Sequence, residues 1–283
     1  LDARTLHINL AKNLISFVSC KKNQTVKTNF VLGEKQSKML QYRGTEGMLI
    51  IRNNTAFLHL ACDVPEEKLA DTTDFLGIDL GIVNIATTSE GKTYSGAIID
   101  KCRTRYTRLM RRLQSKQTRS SYRKLKKISG RQSRFVKNTN HTISKEIVAR
   151  AKALGIGIAM EKLFKIKTPV KKAQRERHNK WSFYQLRSYV AYKAAMKGVR
   201  LVLVNPKNTS RRCSECGWIE KDNRKSQSSF ECKRCGFAAN ADVNAAINIA
   251  GLARAWINEL NVATKLVKTS VSQLQTQPSS GCG

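Results

Sequence analysis

The sequence has no apolar run approaching the ~20 residues that a membrane-spanning helix needs, and no signal-peptide core at its N-terminus. A protein that crosses or anchors in a membrane is not expected. It has no internal repeat. Acidic residues are scarce: 20 Asp and Glu stand against 52 Lys and Arg, a formal charge of +32 over 283 residues. With a pI near 10.2, the expected partners are polyanions, nucleic acid before an anionic membrane. The hydrophobic share of 41% is enough to bury a core, so wholesale disorder is not expected. A disulfide framework is lacking too. Cys213, Cys216, Cys232 and Cys235 form two C-x-x-C pairs, while Cys20, Cys62, Cys102 and Cys282 are scattered. Reduced cytosolic thiols with one metal site fit that distribution better than a secreted, disulfide-stapled domain does.

Residues 1–73 read as β structure. Leu6, Ile8 and Leu10 alternate, and Met48–Arg52 and Ala56–Ala61 flank an Asn53-Asn54 turn as a hairpin would. Three further antiparallel strands are expected over Phe75–Ser95, turning near Gly81 and at Glu90-Gly91. Between residues 101 and 137 there are fifteen basic residues and no acidic one. Helical spacing of Tyr106, Leu109 and Leu113, then of Tyr122, Leu125 and Ile128, predicts two basic helices around Ser120-Ser121, or one long arm, with a break at Gly130. A further helix carries Ile143, Ile147, Ala151 and Leu154. A strand over Gly155–Met160 ends at Glu161. A basic loop over 165–180 leads to a helix marked by Phe183, Leu186, Val190 and Ala194, stopped at Gly198. Val199–Val204 is a strand, and Asp242 opens a last helix with Val243, Ala246, Ala250 and Ile257 inward. The Ser-, Thr- and Gln-rich tail from Thr264 reads as loose.

Three carboxylates sit where acids are awkward. Asp79 lies among core-type residues, Glu161 ends an apolar strand, and Asp242 stands in the first turn of an apolar helix. Buried charges need partners, and shared divalent cations would supply them. The succession of three strands, helix, strand, helix, strand and helix is that of an RNase H-like sheet, whose first strand, fourth strand and late helix converge at one edge. Carboxylates there can hold two Mg²⁺ ions ~3.5–4 Å apart, with Mn²⁺ as a substitute, one activating water and one stabilising a leaving phosphodiester oxygen. Taken singly, each has a plainer reading: Asp79 as a turn residue before Gly, Glu161 as a strand-ending surface acid, Asp242 as a helix-start acid.

Cys213-x2-Cys216-x15-Cys232-x2-Cys235 has the spacing of a four-thiolate zinc ribbon, with Gly217 and Gly236 where the backbone must fold tightly. Four protein ligands leave no vacancy, so Zn²⁺ would be structural there; redox-active dithiols are the alternative. The basic residues Arg105, Arg108, Arg111, Arg112, Arg119, Arg123 and Lys124 of the arm, with Arg211 and Arg212 beside the cysteines, are the candidate nucleic-acid contacts. Tyr106, Tyr122 and Phe135 are either core residues or stacking surfaces for bases. His178 and Trp181 read as loop residues, and His141 as a packing residue.

Gly77-Ile78-Asp79-Leu80-Gly81 with Asn84, Ala159-Met160-Glu161-Lys162-Leu163, Thr209-Ser210-Arg211-Arg212-Cys213-Ser214-Glu215-Cys216-Gly217 and Ala241-Asp242-Val243-Asn244-Ala245-Ala246-Ile247-Asn248-Ile249 together resemble the TnpB (OrfB) proteins of bacterial and archaeal insertion sequences, relatives of type V CRISPR effectors. The resemblance covers about residues 75–255. It implies an α/β, RNase H-like (RuvC) nuclease with Asp79, Glu161 and Asp242 as catalytic and Mg²⁺-binding carboxylates, the four cysteines as zinc ligands, and guide RNA and DNA as partners.

It also implies an organisation: part of a wedge-like β-barrel over 1–73, nuclease segments over 74–209 and 239–262 with a basic helical insertion at 101–150, a zinc ribbon over 210–238, and a flexible tail over 263–283. The start at Leu1, with the family's helical recognition insertion and first barrel strands not seen, is expected of a chain lacking its N-terminal part. The expected function is RNA-guided DNA cleavage. A guided or non-specific nucleic-acid-binding protein and a strand-transfer transposase are the rivals.

Overall fold

The computed structural model describes residues 1, 4–19, 24–52, 54–163 and 183–275, and of residues 262–275 only the helical backbone. The 165–180 loop, with His178 and Trp181, lies outside the described residues, as do Cys20, Asn53 and Cys282. The chain divides into two compact units, Leu1–Glu66 and Glu67–Gly283.

The first unit holds an antiparallel sheet of β1 (Leu6–Asn9), β2 (Leu14–Val18) and β3 (Thr25–Asn29), a short helix α1 (Glu34–Met39), and the hairpin of β4 (Arg43–Arg52) and β5 (Thr55–Cys62). The hairpin is longer than its apolar alternation suggests. Ile51 opposite Ala56 and Arg52 opposite Thr55 close it across the turn at Asn54, whose φ of 60° is a left-handed value that Asn tolerates.

The second unit is built on a five-stranded mixed sheet in the order β10-β9-β6-β7-β8. The strands β6 (Phe75–Asp79), β7 (Asn84–Thr88) and β8 (Thr93–Ser95) form an antiparallel meander, as the turn residues at Gly81 and Glu90-Gly91 predict. On the other side of β6, β9 (Gly157–Glu161) and β10 (Leu201–Val204) run parallel to it. Parallel neighbours need crossovers, and the first is helical: α2 (Ala97–Ser115), α3 (Arg119–Ile128) and α4 (Arg131–Leu154). Helix α5 (Phe183–Met196) precedes β10 and ends at Gly198, whose φ of 61° suits the left-handed stop.

The basic segment breaks elsewhere than at Ser120-Ser121. Gln117 takes a φ of 50°, and Thr118 caps α3 in a reciprocal box with Ser121. The two serines therefore lie in the first turn of α3, where their hydroxyls serve the cap. Gly130 does break the chain, at a φ of 75°. Leu154 is exposed at the end of α4, whereas Ile143, Ile147 and Ala151 are buried.

Strand alternation decides which residues face which helix. Leu76 and Ile78 of β6 and Ile158 and Met160 of β9 pack with Ile143, Ile147, Leu186 and Val190 of α4 and α5. Their neighbours Phe75 and Ala159, with Val202 and Val204, pack with Ile249, Ala253 and Ile257 of α6 (Ala241–Gln275) on the opposite face. Gly77 lies on the α6 side, where a Cβ would stand 1.9 Å from the Ala246 carbonyl oxygen, so only glycine lets helix and strand approach this closely. Helix α6 continues to Gln275, past Thr264, where a loose tail is expected from composition.

Candidate active site

Asp79 and Glu161 are the last residues of the adjacent parallel strands β6 and β9, one step beyond the register pair Ile78 and Met160. By the two-residue period of a strand, Asp79 shares its face with Phe75 and Gly77, and Glu161 shares its face with Ala159. That is the face covered by α6, whose first turn carries Asp242. Asn240 sets this helix start: its Oδ1 accepts from the backbone N–H groups of Asp242 and Val243 at 3.0 and 3.2 Å. Three residues far apart in sequence thus meet at one end of the sheet.

Their electrostatics are strained. Burial, followed by the charges of Glu161 and Asp242, pushes Asp79 up to about 7, while Arg224 pulls the other way. Burial also raises Glu161, opposed by a hydrogen bond from Thr209. Glu161 and Asp242 are only 8% and 4% exposed.

Each is held by protein donors. Thr209 Oγ1 donates to Glu161 Oε1 at 2.5 Å. Asn84 Nδ2 donates to Asp242 Oδ2 at 2.9 Å, and the Arg224 guanidinium reaches Asp242 Oδ1 at 3.0 Å. The charges of Glu161 and Asp242 act on Asp79, and carboxylates with partial compensation from neutral donors and one arginine are the ligand type that hard divalent cations take.

The four cysteines form a second site. Their Sγ atoms all lie within 4.8 Å of one another, a geometry that can hold a metal ion. Two matching knuckles build it. In the first, Cys213 N–H donates to Trp218 O and Gly217 N–H to Cys213 O; in the second, Cys232 N–H donates to Phe237 O and Gly236 N–H to Cys232 O. Gly217 and Gly236 take φ values of 74° and 75°, which explains the glycine after each pair. Strands β11 (Ser229–Glu231) and β12 (Ala238–Asn240) flank the second knuckle.

Asn223 is fully buried and fastens the two knuckles together. Its Nδ2 donates to the carbonyls of Arg211 and Trp218, and its Oδ1 accepts from Lys233 N–H. Burial opposes ionisation of Cys232, but the amides of Cys235 and Arg234 and the neighbouring thiols outweigh it, bringing this thiol down to about 6. Cys213 and Cys235 shift the other way, upward, Cys213 chiefly by burial and Cys235, against the amide of Phe237, by its thiol neighbours.

Arg105, Arg108, Arg111, Arg112, Arg119, Arg123, Lys124, Arg211 and Arg212 are all exposed. Tyr122 is 61% and Phe135 37% exposed, whereas Tyr106 is half-buried. His141 packs, stacked on Tyr189 at 3.9 Å between centroids. Thr209 enters the sequence reading only as the first residue of the motif around the cysteines, and Arg224 is not singled out there as a partner of Asp242. Both lie in a stretch where the cysteine spacing dominates the pattern. Asn84 stands in the quoted motif, but its contact with a residue 158 positions away has no local signal.

Residues 59–167 match the family model described as "Probable transposase" (OrfB of the IS605 type), and residues 183–249 match "Cas12f1-like, TNB domain". The chain is 32% identical over 217 residues to the CRISPR-associated endodeoxyribonuclease Cas12f1 of Sulfoacidibacillus thermotolerans, covering 70% of this chain and 50% of that protein. It is 34% identical over 128 residues to a TnpB-like protein of Methanocaldococcus jannaschii, covering 44% and 45%. The chain thus spans half or less of these relatives. Among solved structures it resembles a Cas12f1–sgRNA–target DNA complex, with a TM-score of 0.51 at 22% identity over 71% of this chain and 55% of that one. A CRISPR–Cas12f ternary complex gives 0.53, with 74% and 44% covered. The α/β fold is therefore similar to that of Cas12f effectors. Among the described residues no helix is long and apolar enough to cross a membrane.

Proposed function

We propose, for a chain that belongs to the TnpB/Cas12f family, that Asp79, Glu161 and Asp242 form the hydrolytic centre of an RNA-guided DNA endonuclease in a RuvC-like domain. What carries the reading is that half-buried Asp79 and buried Glu161, on the α6 face of β6 and β9, share one end of the sheet with buried Asp242 of α6, whose charge acts on Asp79. Divalent cations held by these carboxylates, Mg²⁺ or Mn²⁺, would supply the charge that activates water and stabilises the leaving oxygen of a phosphodiester.

The remaining work falls to the chain's own side chains. Asp79, which feels the charges of both other acids, binds from the sheet. Glu161 is steadied by Thr209, and Asp242 by Asn84 and Arg224. The four cysteines hold structural Zn²⁺ in a ribbon over 210–238, inserted between nuclease segments 74–209 and 239–262. The exposed cations of α2 and α3, with Arg211 and Arg212, bind phosphates of guide RNA and DNA, which requires only a positive surface. Residues 1–73 belong to a wedge-like barrel.

The test is cleavage of a guide-matched plasmid with Mg²⁺ by the full-length protein bearing Asp79→Ala, Glu161→Ala or Asp242→Ala. Each is expected to lose about 10³-fold or more in rate, the loss of several kcal/mol of transition-state stabilisation. Unchanged cleavage in these variants would falsify the assignment. Salt-sensitive binding without any cleavage in the unsubstituted protein would favour a binding protein instead, and joined DNA ends a transposase.

A further inference from the structure

Glu161 owes its place to a residue on the threshold of the cysteine ribbon. Thr209 is 3% exposed, and its hydroxyl, with one proton to give, lies 2.5 Å from Glu161 Oε1 and 3.1 Å from Pro206 O. The shorter, charge-assisted contact takes the proton.

Thr209 is itself held from α6. Asn248 Nδ2 donates to Thr209 O at 2.9 Å and to Arg212 O at 2.7 Å. One turn earlier, Asn244 Nδ2 donates to Arg212 O at 2.8 Å and its Oδ1 accepts from Ser214 N–H at 3.0 Å. Asn244 thereby grips the peptide groups on both sides of Cys213, the first knuckle ligand. The two asparagines are four residues apart on one helix face and 0% and 7% exposed. Their amides hydrogen-bond the backbone of residues 209–214.

We propose that Thr209 is a positioning residue that fixes Glu161 for divalent-cation binding, and that Asn244 and Asn248 make its position depend on the four-cysteine knuckle. The proposal rests on the carboxylate centre argued above. It gives the metal knuckle a second task. A knuckle closed around its ion holds residues 209–214 against α6, and that backbone presents the hydroxyl to Glu161. An open knuckle frees the segment, and Glu161 keeps its burial without its donor.

The experiment uses the full chain with its zinc content measured, Mn²⁺ as the probe followed by electron paramagnetic resonance, and cleavage in the guide complex. Thr209→Val should weaken Mn²⁺ binding about 10–100-fold and lower kcat with KM for DNA unchanged, at unaltered zinc stoichiometry. Thr209→Ser, which keeps the hydroxyl, should return to within about threefold of the wild type. Thr209→Ala carries the same expectation as Thr209→Val if the latter does not fold. Asn248→Ala should weaken Mn²⁺ in the wild-type background but add little to Thr209→Val, because both act through one contact.

Wild-type Mn²⁺ affinity in Thr209→Val, or a serine variant as weak as the valine one, overturns the positioning role. Effects of Asn248→Ala and Thr209→Val that simply multiply overturn the link to the knuckle. Glu161→Gln separates the two levels of argument. If it retains both Mn²⁺ binding and cleavage, the carboxylate centre itself is wrong. If it loses both while Thr209→Val behaves as wild type, only the role of Thr209 fails.

Discussion

The four-cysteine knuckle and the three-carboxylate cluster are both candidate metal sites within one unit, yet they are built on opposite principles. The knuckle draws its donors from 23 consecutive positions, Cys213 to Cys235, and brings all four sulfurs within 4.8 Å of one another through short-range turns. The cluster draws its donors from Asp79, Glu161 and Asp242, and depends on strand register and on the approach of α6. In the first, the protein makes a small cage of sulfurs that can hold a metal ion. In the second, the protein pre-loads the acids with its own donors, Thr209, Asn84 and Arg224. A site closed by four protein ligands gains from closure, whereas an open site leaves its ligands able to exchange partners.

The largest separation between the two should come from the knuckle. Cys216→Ser, or zinc chelation, removes an ion whose binding to such modules is worth about 10–16 kcal/mol. The core beneath it is small: Cys213, Phe230, Cys232 and Ala241, with Phe237 against them. Residues 210–238 should lose protection in hydrogen exchange while the five-stranded sheet keeps its own. Uniform loss across both would mean that the knuckle is not a separable element.

The carboxylate cluster should answer to pH instead. Asp79, pushed up to about 7 from a usual 3.8, keeps its proton in the folded state over a range where the unfolded chain has lost it. Its contribution to stability is therefore full below pH 4 and is lost as pH rises through 7, by about 4 kcal/mol in all. With zinc in place and no Mg²⁺, thermal melts of the wild type should fall across that range more steeply than those of Asp79→Asn. Added Mg²⁺ should flatten the wild-type slope, because a cation replaces the proton. Identical slopes in the two proteins would show that Asp79 is not strained.

The two sites also differ in how far they can be read in the sequence. The knuckle is legible because its ligands and turn glycines are neighbours along the chain. Strands β6, β9 and β10 are legible as short apolar runs for the same reason. Runs buried on both sides, as β6 and β9 are, carry no alternation that tells on which face Asp79 and Glu161 lie. The start of α3 is misplaced at Ser120-Ser121, since the left-handed Gln117 gives no compositional warning. The helical backbone from Thr264 to Gln275 is hidden by a composition that reads as loose. The supporting shell of the acids is not legible at all. Thr209 lies 48 residues from Glu161, and Asn84 lies 158 from Asp242. A hydroxyl or amide acquires such a partner only when the fold is complete.

Gly77 tests whether the cluster depends on helix approach as strictly as the knuckle depends on its glycines. Gly77→Ala would drive a methyl group into the Ala246 carbonyl, 1.9 Å away, and a backbone atom cannot step aside as a flexible side chain can. Overpacking of this kind costs about 3 kcal/mol. The helix should shift from β6 and carry Asp242 with it, so Mn²⁺ affinity should fall while zinc stoichiometry holds. A variant that keeps full Mn²⁺ affinity would show that the cluster tolerates displacement of α6.

Asn84→Ala is the finest probe of the difference. It removes the donor to Asp242 Oδ2 but leaves Arg224 on Oδ1, so the acid keeps its charge partner and loses one anchor. With Asp242 only 4% exposed, water has little access to the vacated oxygen. A cost of about 1–2 kcal/mol in stability follows from one lost hydrogen bond to a buried acceptor. Two effects on cation binding oppose each other. Without Asn84 the oxygen is freer to turn toward an ion, but it must also be ordered each time one binds. Because Asn84 is a neutral donor, its removal changes orientation more than charge, and the ordering cost should dominate. A modest weakening of Mn²⁺ is expected, read by the same electron paramagnetic resonance titration used for Thr209→Val. Tighter Mn²⁺ binding in Asn84→Ala would mean that Asn84 competes with the cation, and that the donors around these acids restrain the site more than they prepare it.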